Sequence, residues 1–281
     1  MAGTILRGEL PPSRRRAKRG GHVLRFAESG VPPLHYVGRI VGQPPVWLES
    51  RAPFENLRLR TTRAFAGDGL PRGRGQPVIL IPGFMAGDRS LATLNDWLLR
   101  MGYHAEQPGL AFNIRYSEAV LQTLLLQLVD LYAWLGQKVT LIGHSRGGML
   151  AKVAAHRHPE IVERVIALGS PLADPYDIHP FTMACVRMAQ VFNLARFGHT
   201  GTVERRFLQD LAAPARRPLI SIYSRSDGIV HWRACVRTDA ECVEVDSSHV
   251  GLAVNPDVYA FLATVLAHSR QPRRPPSARA A

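Results

Sequence analysis

Val139-Thr140-Leu141-Ile142-Gly143-His144-Ser145-Arg146-Gly147-Gly148-Met149 is the stretch on which the reading of this chain turns. Its first four residues are an apolar run of strand length, and its centre matches G-x-S-x-G. Beyond it, Met149-Leu150-Ala151-Lys152-Val153-Ala154-Ala155 combines helix formers with apolar residues three and four apart. The spacing therefore predicts a buried strand that turns sharply into a helix, with Ser145 at the apex in a strained backbone conformation. A side chain at 143 or 147 would crowd such a turn, which is why both flanks are glycine. The start of the helix aims free N–H groups at the serine, and that of Arg146 is placed to hold a developing negative charge.

Outward from this turn, strands and helices alternate. Upstream, Gln76 to Gly83 reads as an apolar strand closed by a Pro-Gly turn. A helix through Leu91, Leu94, Leu98 and Met101 follows, with Asp88 or Ser90 as its cap and Gly102 as its end. Tyr103 to Pro108 is a weak strand. Ser117 to Leu135 is an amphipathic helix, capped by Ser117 and stopped by Gly136.

Downstream, Val165–Gly169, Leu219–Tyr223 and Glu241–Val245 read as strands and Val258–His268 as the closing helix. Residues 174–213 break the alternation with two helical stretches, Phe181–Phe192 and Val203–Leu211, and no strand between them. They read as a helical insertion. Pro-rich residues 31–75 are expected to wrap the domain, with a helical turn around Trp47–Leu59 and no readable motif. Such alternation predicts an α/β fold, a mostly parallel sheet with helices on both faces.

A serine hydroxyl is a weak nucleophile and needs a base, and the base needs an acid to fix its tautomer. In parallel sheets the reactive side chains sit on loops past the carboxyl ends of strands. Asp227 lies four residues beyond Tyr223, in Ser-Arg-Ser-Asp-Gly. His249 lies four residues beyond Val245, in Asp-Ser-Ser-His-Val-Gly. Asp246 and Asp239 are the alternative acids, and His231 the alternative base. His144 reads as packing under the turn, and the Arg146 side chain as one half of a structural salt bridge.

With these residues in order, Ser145, Asp227 and His249, the sequence resembles the α/β-hydrolase family, and within it the bacterial lipase- and esterase-like serine hydrolases. The resemblance covers roughly residues 76–268. It implies an α/β-hydrolase domain over residues 31–269, with 174–213 as a small helical cap or lid. It also implies Ser145, Asp227 and His249 as a catalytic triad, and hydrolysis of carboxylic esters through an acyl-enzyme on Ser145. The family's other oxyanion donor follows the first core strand. Here that turn is Pro82-Gly83-Phe84-Met85, so the Phe84 N–H joins that of Arg146, with Met85 second. Met85, Phe181, Met188 and Phe192 are the candidate substrate contacts. The family's chemistry needs no cofactor and no metal. Acyl transfer to another alcohol on the same triad is one alternative, and a non-catalytic protein that binds lipid or a partner is the other.

Composition narrows the partners. The chain has 281 residues, 46% of them hydrophobic, enough for one large domain or two small ones. Its formal charge is +13, but residues 1–21 carry +5 and residues 268–281 carry +4. Residues 1–30 and 270–281 therefore read as basic, disordered tails. The charge is not organised into a recognition motif, so a nucleic-acid partner is not expected. A small-molecule or lipid ester is the expected substrate, and the tails suit peripheral contact with a membrane. No run of eighteen apolar residues predicts a membrane span, and no secretory core follows the basic N-terminus, so a cytoplasmic location is expected. Cys185, Cys235 and Cys242 have neither metal spacing nor a disulfide framework, although a hairpin would allow Cys235 and Cys242 to pair.

Overall fold

The computed structural model describes residues 45–198 and 201–268. Among these residues six strands form one sheet: β1 Pro77–Ile81, β2 His104–Glu106, β3 Val139–His144, β4 Val162–Leu168, β5 Leu219–Tyr223 and β6 Glu241–Glu244. Their order is β2-β1-β3-β4-β5-β6, and every neighbouring pair is parallel. The helices longer than one turn are α1 Ala52–Arg60, α2 Ala92–Arg100, α3 Ser117–Leu135, α4 Arg146–Arg157, α5 Pro180–Phe197, α6 Gly201–Ala212 and α7 Pro256–Ala267. The predicted turn near Trp47 is a 3₁₀ turn, Val46–Arg51, running into α1.

Both faces of the sheet are covered, so the central strands have no polar side. On one face Ile79, Ile81, Leu141, Val165 and Ala167 meet Leu121, Leu124 and Leu128 of α3 and Leu150 and Val153 of α4. On the other Leu80, Ile142, Ile166 and Ile222 meet Leu94, Trp97 and Leu98 of α2 and Val258, Tyr259 and Leu262 of α7. Two apolar faces per strand explain why these segments read as continuous hydrophobic runs and not as alternating ones. At 19 residues, α3 is long and apolar enough by composition to cross a membrane. Here its apolar stripe instead lies against the sheet.

Two predicted caps are replaced by longer-range partners. The Asp88 carboxylate accepts from the Leu110 N–H at 3.1 Å, and α2 starts from a 3₁₀ turn without a side-chain cap. Ser117 is the first residue of α3, not its cap. Its N–H and hydroxyl donate to Glu204 of α6 at 3.1 and 2.6 Å, so a carboxylate from another helix satisfies that end. Gly136, at φ 63°, ends α3 as expected.

The helices α5 and α6 fill the segment between β4 and β5. Arg157 of α4 holds α6 to the body by bridging Glu118 of α3 and Asp210 of α6 at 2.5 and 2.7 Å. Cys185, Cys235 and Cys242 are all free thiols, so no bridge joins the last two. The basic stretches at either end, and residues 31–44 of the predicted wrap, lie outside the described residues.

Candidate active site

The G-x-S-x-G turn forms as its sequence demands. Ser145 sits between β3 and α4 at φ 54°, ψ −122°, one of two non-glycine residues with positive φ among the described residues. That conformation is costly for an L-residue and persists only where the surroundings enforce it. Crowding explains the glycines. A Cβ on Gly143 would lie 2.2 Å from the Gly147 carbonyl carbon, and one on Gly147 would lie 2.0 Å from the Ile81 oxygen. The strand end and the helix start thus touch backbone to backbone, and the serine is thrust outward.

The loops after β5 and β6 bring Asp227 and His249 together. His249 Nδ1–H donates to Asp227 Oδ2 at 2.6 Å, with both side chains almost wholly buried. The other Asp227 oxygen accepts the N–H groups of Ile229 and Val230 at 2.8 and 2.7 Å. Ser224 Oγ joins the two loops by accepting the N–H groups of Ser226 and Ser247.

His144, the residue before the serine, ties this pair to the turn. Its Nε2 lies 2.9 Å from the His249 carbonyl oxygen, so Nε2–H donates there, and the two rings are 4.7 Å apart between centroids. Burial pushes the His144 imidazole down to about 4, with the neighbouring His249 adding to the effect. His144 is therefore neutral at ordinary pH and serves as a donor as well as filler. Burial also opposes protonation of His249. The charge and hydrogen bond of Asp227, and then the charge of Glu49, outweigh it and hold that imidazole above its ordinary value.

The alternatives lie elsewhere. Asp246 is exposed and reaches Arg51 at 3.5 Å. Asp239 is held by Arg237 at 2.7 Å and by the Ala215 N–H. His231 is buried against Asp177 at 3.0 Å, and its backbone N–H donates to the Asp177 carbonyl.

Facing the serine, the Pro82–Met85 turn supplies one side of the site. A Cβ on Gly83 would lie 3.0 Å from that of Ser145. The Met85 N–H is engaged with the Asn113 carbonyl at 3.3 Å, which leaves Phe84 as the candidate donor from this turn. The Arg146 side chain makes no salt bridge among the described residues, contrary to expectation. It donates instead to Asn113 Oδ1 at 2.8 Å, to the Asn113 carbonyl at 2.9 Å, to the Arg115 carbonyl at 2.6 Å and to Ser117 Oγ at 3.2 Å. Asn113 in turn donates to the Pro82 carbonyl at 2.9 Å. A guanidinium with several fixed donors can brace several acceptors at once where a single carboxylate would take only two. The opposite wall of the site is thus fastened to the residue that follows Ser145.

The candidate substrate contacts face outward. Phe181, Met188 and Phe192 on α5 are 68%, 72% and 58% exposed, and Met85 is 54% exposed. The inward side of α5 carries Met183 and Asn193, whose amide donates to the Ile114 carbonyl at 2.9 Å. Among the described residues no group of three His, Cys, Asp or Glu side chains is placed to hold a metal ion.

Topology, turn and loop positions together match one known architecture, and the family model described as alpha/beta hydrolase fold matches residues 76–184. The chain has the alpha/beta hydrolase fold. Among solved alpha/beta hydrolase structures, it is similar to the Bacillus licheniformis lipase BlEst2 in its mature form, at 17% identity and a TM-score of 0.52, over 71% of this chain and 96% of that one. The propeptide form of that lipase aligns at 16% identity and 0.54, over 73% of this chain and 52% of its own. Aspergillus fumigatus lipase B aligns at 16% and 0.51, over 69% of this chain, which spans about half (53%) of that lipase. Identities this low speak for the fold. No curated protein matches the sequence.

Three residues at this site carried no readable signal of function. Asn113 and Glu49 act across long stretches of sequence, and only the position of His144 beside the serine marked it at all.

Proposed function

We propose that this alpha/beta hydrolase cleaves carboxylic esters, in the manner of lipases and esterases, through an acyl-enzyme on Ser145. The observation that carries the reading is the strained Ser145 turn beside a buried His249–Asp227 pair bonded at 2.6 Å, with His144 linking the two. A lone serine in a turn would need none of this.

In the proposed reaction His249 takes the proton of Ser145 and the alkoxide attacks the ester carbonyl. The N–H groups of Phe84 and Arg146 receive the oxyanion, each worth about 3 kcal/mol where such donors are preorganised. Protonated His249 then passes its proton to the leaving alcohol. Water, deprotonated by the same imidazole, releases the acid. Asp227 holds the tautomer with Nε2 free to accept and stabilises the imidazolium. The ring nitrogen chemistry needs no metal or organic cofactor.

An apolar acyl group is the proposed substrate moiety, and Met85, Phe181, Met188 and Phe192 are its proposed contacts, offered by their exposed side chains. The basic tails are proposed to contact an anionic membrane surface, in a cytoplasmic location. A panel of p-nitrophenyl esters of graded chain length tests the activity. Hydrolysis that disappears in Ser145→Ala supports it, and a panel with no turnover and no labelling by a fluorophosphonate would sink it.

A further inference from the structure

The segment that reads as a motif-free wrap reaches into both loops of the acid–base pair. From the 3₁₀ turn Val46–Arg51, Glu49 Oε1 accepts the N–H of Gly228 at 3.0 Å and of His249 at 2.9 Å, while Oε2 accepts that of Val250 at 3.0 Å. From α1, Glu55 accepts the Ser248 N–H at 3.0 Å and the Ser248 hydroxyl at 2.5 Å, and it pairs with Arg51 at 3.2 Å. Two carboxylates thus take five donors from loops about two hundred residues away in sequence. Charged acceptors on N–H groups make stronger bonds than neutral ones.

The loops are cut to receive this arm. A Cβ on Gly228 would stand 3.2 Å from Glu49 Oε1 and 3.0 Å from the Pro45 oxygen, and one on Gly251 would stand 1.7 Å from Glu55 Oε2. Neither glycine has a positive φ. Their smallness serves the approach of the arm and not a backbone conformation.

Resting on the reaction proposed above, we infer that Glu49 is a positioning residue for the His249–Asp227 pair: one carboxylate ties the loop of the acid to the loop of the base, and its charge supports the imidazolium formed when Ser145 loses its proton. Glu55 fastens the neighbouring Ser248 and leaves the Asp227 loop untouched. The groups facing His249 are Asp227 from the loop after β5, His144 from the end of β3 and Glu49 from the arm, with the Arg51–Glu55 pair and Asp246 beyond. Of these, Glu49 alone contacts backbone of both loops.

The experiment compares the full chain with Glu49→Gln and Glu49→Asp. The His249 titration midpoint is read by NMR of histidine-labelled protein, assigned from the spectrum of His249→Gln. The rate against pH is read with p-nitrophenyl butyrate. Glu49→Gln should lower the midpoint by about 0.5–1 pH unit, because a nearby negative charge that favoured the charged imidazole is gone. The acid limb of the rate profile should move down with it. Its kcat should fall roughly 10-fold with KM within about twofold, the signature of a contribution made in the transition state. Glu49→Asp keeps the charge but not the reach, so it should keep the midpoint and lose rate. A folded Glu49→Gln with an unmoved midpoint and acid limb overturns the inference. So does a variant whose rate falls only as its melting temperature falls. A wild type that neither hydrolyses esters nor labels would instead refute the reaction itself, while the NMR midpoint would still decide whether Glu49 acts on His249.

Discussion

Arg146 and Asn113 are joined by two bonds, one to the side-chain oxygen at 2.8 Å and one to the main-chain oxygen at 2.9 Å. Through Asn113 the guanidinium controls the Pro82 carbonyl and the Met85 N–H, on the far wall of the site. Through Ser117 it reaches Glu204 on α6, and the adjacent Ile114 carbonyl holds Asn193 of α5. Both the helical insertion and the Pro82–Met85 turn are therefore fastened to one short segment, residues 113–117.

Removing that brace should cost turnover more than binding. Asn113→Ala deletes one of the four acceptors of Arg146, Oδ1, and the side-chain donor to the Pro82 carbonyl, leaving that buried carbonyl without its partner at a cost of about 1–3 kcal/mol. Steady-state kinetics should show kcat reduced about 10- to 100-fold with KM little changed, as expected when an oxyanion donor is displaced and not deleted. An unchanged kcat in a folded variant would remove Asn113 from the account of the oxyanion turn.

The acid partner gives a sharper loss. Asp227→Asn preserves volume but offers His249 an amide that can favour the wrong tautomer. Turnover should fall on the order of 10⁴-fold. The corresponding change at the exposed Asp246, Asp246→Asn, should leave turnover within about twofold, since exposed pairs contribute little. Reversed sensitivities would exchange their roles.

The pH dependence follows from the two imidazoles. His249 must be neutral to accept a proton, and it is held above 6.5, so the acid limb of kcat/KM should have its midpoint above that value. For stability the sign differs by residue. The raised value of His249 favours the folded state at low pH, and that contribution is lost as pH rises through its folded value. His144 is depressed from 6.5 to about 4, so below pH 6.5 the unfolded chain takes up a proton that the fold refuses. Stability from His144 is therefore lost as pH falls from 6.5 towards 4, by up to about 3 kcal/mol. Melting temperatures should drop over that window, and should drop less in His144→Gln, whose amide can still donate to the His249 carbonyl. Equal slopes in the two proteins would contradict the buried neutral assignment.

Packing at the turn sets a limit on substitution. Gly147→Ala places a methyl group against the Ile81 oxygen, a backbone atom that cannot rotate away. The expected result is loss of soluble folded protein, or destabilisation beyond about 4 kcal/mol, within the range of severe single substitutions. A soluble variant with native melting would show that β1 and α4 have freedom the close contact denies.

These contacts also explain what could be read from residues alone. The turn at Ser145 was legible because its geometry forbids anything but glycine at 143 and 147, and a local rule leaves a local trace. The sheet was legible from its apolar runs, and Asp227 and His249 from their places just past strands β5 and β6. Glu49 and Glu55 were not, because a carboxylate that caps another loop's N–H groups leaves the same letter as one in solvent. The Arg146 brace differs from the expected salt bridge for a related reason: five donors suit carbonyls as well as carboxylates, and only the fold shows which are near. Ser117 carried the usual signature of a cap, yet Glu204 from a distant helix took that office.

The central claim is that Ser145 is made nucleophilic by His249 and Asp227. Labelling by a fluorophosphonate at pH 8, followed by mass spectrometry of the modified peptide, tests it most directly. One adduct per chain is expected, on Ser145, absent in Ser145→Ala and formed far more slowly in folded His249→Gln. An adduct on another residue, or labelling of Ser145 at the same rate without His249, would contradict it.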